Sequence, residues 1–160
     1  MSLTSIKKRL LSKNILLAED TILRQQTVIG YDKQFRWSWM VTQLNTFYVA
    51  SDLKDATITV ETIESHLKEA FNYGKKNYKG WPRGLQSAIG VVNILIAENI
   101  TEQAKTYCKK LKSGKKWAGF AIPVVIDAKT KEVFFFDKKP MWGRIYFPYF
   151  KRMIEELTIS

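Results

Sequence analysis

Two periodicities of hydrophobic and polar residues run along this chain and predict where its helices and strands lie. Residues 4 to 13 place apolar side chains on one side and lysines on the other, which predicts a short basic helix. Aromatic and β-branched side chains then recur at every second position, Phe35, Trp37 and Trp39 among them, which is typical of strands. The predicted strands are residues 26 to 31 and residues 35 to 50, joined by a turn near Asp32 and Lys33.

The middle of the chain predicts a helix, a buried strand and a second helix, in that order. Residues 60 to 75 have helical periodicity, and Thr59 precedes them as a cap of the first turn. The run from Ser87 to Ala97 is mostly apolar without polar alternation, which is typical of a strand that is buried on both faces. Thr101 then begins a helix whose end is marked by Gly114.

The last third of the chain predicts a β-hairpin followed by an amphipathic helix. The strands are residues 117 to 126 and 132 to 137, and Pro123 favours an edge position or a bulge in the first of them. Pro148 suits the first turn of a helix that extends to about residue 158. The element order is α-β-β-α-β-α-β-β-α, so we predict one α+β domain over residues 1–160, with a mixed sheet of about five strands flanked by helices.

Composition narrows the class of protein. The 160 residues include 26 lysines and arginines but 15 aspartates and glutamates, and 13 of the basic residues lie in the last 60. The formal net charge of +11 predicts an acidic partner such as nucleic acid. The single cysteine excludes an internal disulfide, and the sequence shows neither the apolar region of a signal peptide nor an apolar run of bilayer length. We therefore expect a cytoplasmic protein without membrane contact, and the sequence predicts no cofactor because it has no nucleotide-binding fingerprint.

Six lysines fall within twelve residues, on and after the helix that Thr101 begins. Because they project away from the apolar stripe of that helix, they predict a surface that follows a phosphate backbone and binds less tightly as salt rises. A solvated surface helix is the alternative, since the chain holds 20 lysines and 6 arginines, and arginine is the better reader of phosphate. The predicted nucleic-acid-binding residues are Lys105, Lys109, Lys110, Lys112, Lys115 and Lys116.

Two loops each combine a tryptophan, an arginine and glycine. Trp81 and Arg83 lie in one of them, and Trp142 and Arg144 lie in the other. Tryptophan and arginine dominate interface hot spots and contacts to bases or anions, so these four residues are predicted to bind a ligand. They would form one cleft if both loops lie at the same end of the sheet. The alternative is that each tryptophan closes an end of the core while its arginine stacks on it.

Asp127, Asp137 and Lys139 supply the strongest enzyme hypothesis. A carboxylate at the end of one strand and Asp-x-Lys on the next resemble the arrangement with which PD-(D/E)xK nucleases hold a divalent metal and activate water. The predicted hairpin argues against this function, because a turn at residues 128–131 would leave the two carboxylates roughly 16 Å apart, too far to share an ion. Only a different turn or a large bulge would bring them together.

The single histidine, the single cysteine and a run of three phenylalanines have structural explanations. His66 is predicted at the edge of the apolar face of its helix, and Cys108 in the apolar stripe of the next helix as a buried, inert thiol. Phe134, Phe135 and Phe136 indicate a strand covered on both faces, by helices or by a partner chain, so a homodimer is also a prediction.

The sequence therefore favours a non-enzymatic binding or interaction protein for an acidic partner. In this hypothesis the tryptophan and arginine loops make the contacts, while the lysines supply long-range attraction. A metal-dependent nuclease or hydrolase is the alternative from the enzyme class. A small-molecule sensor domain is a third hypothesis, which follows only from the expected mixed sheet.

Overall fold

The structure is a computed structural model, and it describes residues 1–82, 86–111, 119–138 and 144–159. Within those residues the chain forms four helices, eight strands and one short 3-10 helix, Trp37–Trp39. The helices are α1 (Leu3–Ser12), α2 (Val60–Asn77), α3 (Glu102–Lys110) and α4 (Phe147–Thr158). The strands are β1 (Leu16–Ile22), β2 (Gln25–Arg36), β3 (Thr42–Asp52), β4 (Thr57–Ile58), β5 (Ser87–Ala97), β6 (Asn99–Ile100), β7 (Gly119–Asp127) and β8 (Val133–Phe134).

Six of these strands form one mixed sheet in the order β1-β2-β3-β5-β7-β8. β1, β2 and β3 form an antiparallel meander, β3, β5 and β7 run parallel, and β8 is antiparallel to β7. β4 and β6 pair in a separate two-stranded parallel sheet. The predicted α+β fold with a mixed central sheet is confirmed, and the sheet has one strand more than the expected number.

Helices cover both faces of the sheet. α1 and α4 pack on one face, where Ile6, Leu10 and Phe150 are fully buried, and α2 and α3 pack on the other. β5 runs through the centre and is buried at every position, which confirms the prediction from its unbroken apolar run. No helix in the described part of the chain is both long and apolar enough to cross a lipid bilayer.

Side-chain caps begin α2 and α3 where the sequence predicts them. The hydroxyl of Thr59 accepts a hydrogen bond from the backbone N–H of Thr62 at 3.2 Å. The hydroxyl of Thr101 accepts one from the backbone N–H of Ala104 at 3.2 Å. Each cap satisfies an N–H group that the first turn of a helix leaves without an intrahelical partner, which stabilises the helix by about 1 kcal/mol.

The first hairpin differs from its prediction. β2 continues through the predicted turn at Asp32 and Lys33, and the chain reverses after Trp39 instead. Trp37 and Trp39 lie in the 3-10 helix and not in a strand, because the next two residues reverse the chain with φ angles of 54° and 63°. The residue types do not indicate this turn, since a left-handed backbone conformation favours glycine or asparagine and neither is present.

β1 is a strand that the sequence does not predict. It lies at the edge of the sheet and pairs with β2. Glu19 and Asp20 occupy successive exposed positions in it, because an edge strand tolerates charge where a central strand would need apolar residues. At the other edge, β8 pairs only with Val125 and Ile126 of β7, so Pro123 lies beyond the stretch that β8 covers.

Candidate functional site

One end of the sheet gathers most of the features that bear on function. β2 ends and β3 begins there, and Ser87, the first residue of β5, pairs with Gln43 of β3. α4 begins there as well, since the ring of Tyr146, the residue before it, lies 5.3 Å from the ring of Trp39. We call this region the turn end, and it comprises residues 33–43, 78–82, 86–87 and 144–146.

Three exposed aromatic rings form a row at the turn end, in which Phe35 contacts both Trp37 and Trp81. The ring centroid of Phe35 lies 5.7 Å from that of Trp37 and 5.7 Å from that of Trp81, with interplanar angles of 77° and 58°. The exposed fractions of Phe35, Trp37 and Trp81 are 41%, 78% and 44%, and we call these three residues the aromatic row. Met40 is also exposed and adds apolar surface. A contiguous group of exposed apolar side chains is a candidate surface for contact with another molecule.

Strand geometry explains why these rings face solvent. Successive side chains of a strand point to opposite faces of the sheet, so Phe35 shares the α2 face with Tyr31 and Lys33. The 3-10 helix that follows leaves the ring of Trp37 in solvent, while Trp39 is buried against the start of α4. Of the three rings in the period-two pattern, Phe35 and Trp37 are therefore exposed and Trp39 is buried.

A buried polar network holds the loop that carries Trp81. Asn45 of β3 is fully buried, and its Oδ1 accepts a hydrogen bond from the Tyr31 hydroxyl at 2.6 Å. The Asn45 amide donates to Oε1 of Gln43 at 3.2 Å, and the same oxygen accepts the backbone N–H of Trp81 at 3.0 Å. The Tyr78 hydroxyl donates to the backbone carbonyl of Trp81 at 2.6 Å. Both backbone polar groups of Trp81 are therefore bonded, which fixes the loop against the sheet.

Ser87 and Gly80 complete this network. The Ser87 hydroxyl lies 3.3 Å from the Asn45 amide nitrogen and also contacts the Tyr78 hydroxyl. A Cβ atom on Gly80 would lie 2.5 Å from Nδ2 of Asn45 and 2.5 Å from the hydroxyl oxygen of Tyr78. Any side chain at position 80 would therefore push the loop away from the network, so the close approach requires glycine.

Lys33 and Lys79 place positive charge beside the aromatic row. Lys33 lies two residues before Phe35 on the same face of β2, and its ammonium donates to the backbone carbonyl of Lys79 at 2.9 Å. Both lysines are exposed, and neither forms an ion pair with an acidic side chain among the described residues. Their ammonium groups have hydrogen-bond donors left for an anionic ligand.

A second polar network, on the opposite face of the sheet, ties α4 to β2 and β3. The Tyr149 hydroxyl donates to Oδ2 of Asp32 at 2.6 Å, and the hydroxyls of Tyr149 and Tyr48 lie 3.0 Å apart. Burial raises the pKa of both tyrosines, and the neighbouring Asp32 carboxylate raises it further. Both hydroxyls therefore remain protonated, and they link α4 to the Asp32 carboxylate of β2 and to Tyr48 of β3.

Comparisons with known proteins assign no function to this chain. The chain matches no protein-family model, no curated protein and no solved structure.

The structure describes two of the four residues from the tryptophan and arginine loops. Trp81 belongs to the aromatic row, and Arg144 is exposed two residues before Tyr146. Both lie at the turn end, with Trp81 on the α2 face and Arg144 near the start of α4 on the other face. Arg83 and Trp142 lie outside the described residues, so a single cleft formed by all four stays a prediction.

The predicted lysine surface is partly engaged in contacts within the chain. The ammonium of Lys105 lies 2.7 Å from a carboxylate oxygen of Glu102 and 5.1 Å from the ring centre of Phe134. Lys109 lies 5.5 Å from the same ring, and Lys110 is exposed at the end of α3. The other predicted lysines, Lys112, Lys115 and Lys116, lie outside the described residues.

The acidic residues of the nuclease hypothesis have separate positions in the second hairpin. Oδ1 of Asp127 accepts the backbone N–H groups of Lys129 and Thr130 at 2.8 and 3.0 Å, and these bonds hold the pKa of Asp127 below its usual value. Asp137 follows the end of β8, and its backbone N–H donates to a carbonyl in α3 at 3.1 Å. No group of three or more His, Cys, Asp or Glu side chains in the described ranges is placed to hold a metal ion, and Lys139 lies outside them.

Cys108 and the phenylalanine run are explained by packing. Cys108 is buried under α3, and burial raises the pKa of its thiol to about 12, so the thiolate that reacts with electrophiles is scarce at neutral pH. Phe134 lies under two lysines of α3, and the Phe136 ring is 5.1 Å from the ring of Phe147 in α4. Helices of the same chain therefore cover this segment, and a homodimer remains a prediction.

Sequence reasoning missed two of the three rings in the aromatic row and the network beneath them. Phe35 and Trp37 fit the alternation of a strand, so they are predicted as sheet residues and not as surface residues. The network had a usable signal, because Gln43 and Asn45 are amides in a strand whose centre, residues 47–50, is aromatic and aliphatic. Buried amides need hydrogen-bond partners, which indicates a polar structure beside that strand.

Proposed function

We propose that the protein is a non-enzymatic binding domain whose partner is nucleic acid, held at the turn end. The observation that carries this proposal is the aromatic row, in which the exposed ring of Phe35 contacts the exposed rings of Trp37 and Trp81, with Lys33 and Lys79 beside it. Surfaces that bind nucleic acid combine aromatic rings, which contact bases, with cationic side chains, which contact phosphates.

The charge of the chain supports an acidic partner. The formal net charge is +11, and Lys75 and Lys76 at the end of α2 are exposed near the loop that carries Trp81. Lys105, Lys109 and Lys110 of α3 add to the positive field even where they contact other residues of the chain. A field of this sign raises the rate of encounter with a polyanion. The nuclease and small-molecule sensor hypotheses gain no specific support from the described residues.

Titration of a labelled single strand of about 20 nucleotides, followed by fluorescence anisotropy over a salt series, tests the proposal. We expect binding at low salt and an affinity that falls as salt rises, because phosphate contacts release counterions. Lys33→Gln and Lys79→Gln should each weaken binding and reduce the magnitude of the slope of log affinity against log salt by about 0.7, since each removes one phosphate contact to a single strand.

Lys54→Gln is the matched control for these variants. It makes the same change of charge at the opposite end of β3, where Lys54 is exposed. We expect it to affect the affinity and the salt slope less than the turn-end substitutions. Absence of binding at about 50 mM salt would reject nucleic acid as the partner, and an equal loss in Lys54→Gln would reject the turn end as the site.

A further inference from the structure

We infer, on the basis of the proposed function, that the aromatic row stacks unpaired bases and that the partner at the turn end is single-stranded. Stacking needs access to the flat face of a base. In a duplex the neighbouring base pairs cover those faces, which leaves base edges in the grooves and the phosphate backbone for contact. Rings that project from a protein surface therefore favour a strand whose bases can unstack and pack on them.

The spacing and tilt of the rings allow each tryptophan of the row to stack on a different base. Phe35 lies between Trp37 and Trp81, two steps of 5.7 Å, so the centroids of the two indoles are at most about 11 Å apart. The rings are strongly tilted against their neighbour, so one base cannot stack on all three. This upper limit corresponds to about three stacked-base spacings of ~3.4 Å. The row therefore accommodates two bases within a segment of at most roughly four nucleotides, at the lower end of single-strand site sizes.

The row is held in place before any ligand binds. Phe35 lies in a strand that is hydrogen-bonded to β3, and the backbone N–H and carbonyl of Trp81 are both bonded to the network around Asn45. Little conformational entropy is then lost when a base packs against these two rings. Trp37 is the most exposed of the three, at 78%, and presents the largest accessible ring surface.

The charges beside the row favour a polyanion over a second copy of this chain. A symmetric dimer through the row would bring Lys33 and Lys79 of one copy near the same residues of the other, and no acidic partner for either lysine is present among the described residues. Juxtaposed like charges oppose association, whereas a phosphate backbone that follows the bases is complementary to both lysines.

Competition between a strand of about 12 nucleotides and a blunt duplex of the same length tests the inference at about 0.15 M salt. We expect the wild-type protein to bind the single strand at least about tenfold more tightly than the duplex. Trp37→Ala should weaken single-strand binding by about fivefold or more and leave duplex binding within about twofold, because it removes one stacking surface and no charge. Trp37→Phe should keep part of the affinity, because it keeps a ring.

Met40→Ala is the matched control, since Met40 is exposed at the same turn and is apolar but has no ring. We expect it to bind the single strand as the wild type does, and a loss equal to that of Trp37→Ala would contradict stacking. Equal affinity for strand and duplex would overturn the inference while the proposed function stood, and no binding to either would overturn the proposed function itself. A mass of twice 18.6 kDa in solution that Trp37→Ala halves would assign the row to a second copy of the chain and overturn the inference.

Discussion

At the scale of single residues, His66 is a titratable side chain enclosed by the fold. It lies on α2 with 6% of its surface exposed, between Ile63 and Ala70, which are fully buried against the sheet. No hydrogen bond from the described residues reaches its Nδ1. Burial lowers the pKa of His66 from its ordinary value of 6.5, because the charged imidazolium would lose its hydration. The folded protein therefore holds this side chain in its neutral form, and the predicted boundary histidine is more deeply buried than its place on the helix suggests.

This burial predicts a dependence of stability on pH. Above about pH 6.5 the imidazole is neutral in the folded and unfolded states, so it does not change the free energy of unfolding. As pH falls below that value the unfolded chain binds the proton first, and the free energy of unfolding declines until pH passes the lower pKa of the folded state. Urea unfolding of the wild type and of His66→Phe from about pH 5 to 8 measures this difference. The decline should be smaller in His66→Phe, and parallel curves for the two proteins would contradict the assignment.

At the scale of elements, the network around Asn45 joins β3 to the loop that carries Trp81. The Asn45 amide has bonds to the side chains of Tyr31, Gln43, Tyr78 and Ser87. One buried residue therefore positions a surface loop, and its loss would leave several buried groups short of a partner.

Asn45→Ala should lower the free energy of unfolding by about 2–4 kcal/mol and loosen the loop before the sheet unfolds. Native-state digestion with trypsin detects this, since Lys79 is in the loop and is followed by glycine. We expect faster cleavage after Lys79 in Asn45→Ala than in Ile154→Ala, a core variant of α4 with a comparable expected loss of stability. Equal cleavage rates in the two variants would show that the network does not hold the loop.

The elements also show which parts of the fold a sequence can predict. Both ends of β5 are predicted at the correct residues, because a strand between two covered faces must be apolar throughout. The starts of α2 and α3 are predicted from their caps, whereas α3 ends at Lys110 and its predicted end at Gly114 lies outside the described residues. β1 is missed because an edge strand can carry acidic residues, and the first turn is missed because Met40 and Val41 adopt positive φ without glycine. That turn ends the strand before Trp37 and leaves Trp37 exposed beside Phe35. The sequence therefore indicates Trp81 as a candidate site residue but not Phe35 or Trp37.

At the scale of the whole molecule, positive charge and exposed aromatic surface occur together. The chain carries a net charge of +11, which attracts polyanions without selecting among them. In the proposed function the turn end supplies the selective part, because the turn between β2 and β3 and the loop before β5 bring the aromatic row, Lys33 and Lys79 together at one end of the sheet. Long-range attraction and local stacking then contribute separately to the binding affinity, and only the contribution of long-range attraction should weaken strongly as the salt concentration rises.

The most direct test is to follow the tryptophan indole N–H resonances by ¹H–¹⁵N NMR while a single-stranded oligonucleotide is added. The three resonances needed among the five tryptophans can be assigned with Trp37→Phe, Trp81→Phe and Trp39→Phe, and Trp39, which is buried, serves as an internal reference. We predict that the Trp37 and Trp81 resonances shift in proportion to the bound fraction while that of Trp39 changes little. An oligonucleotide that binds without moving either the Trp37 or the Trp81 resonance would contradict binding at the turn end.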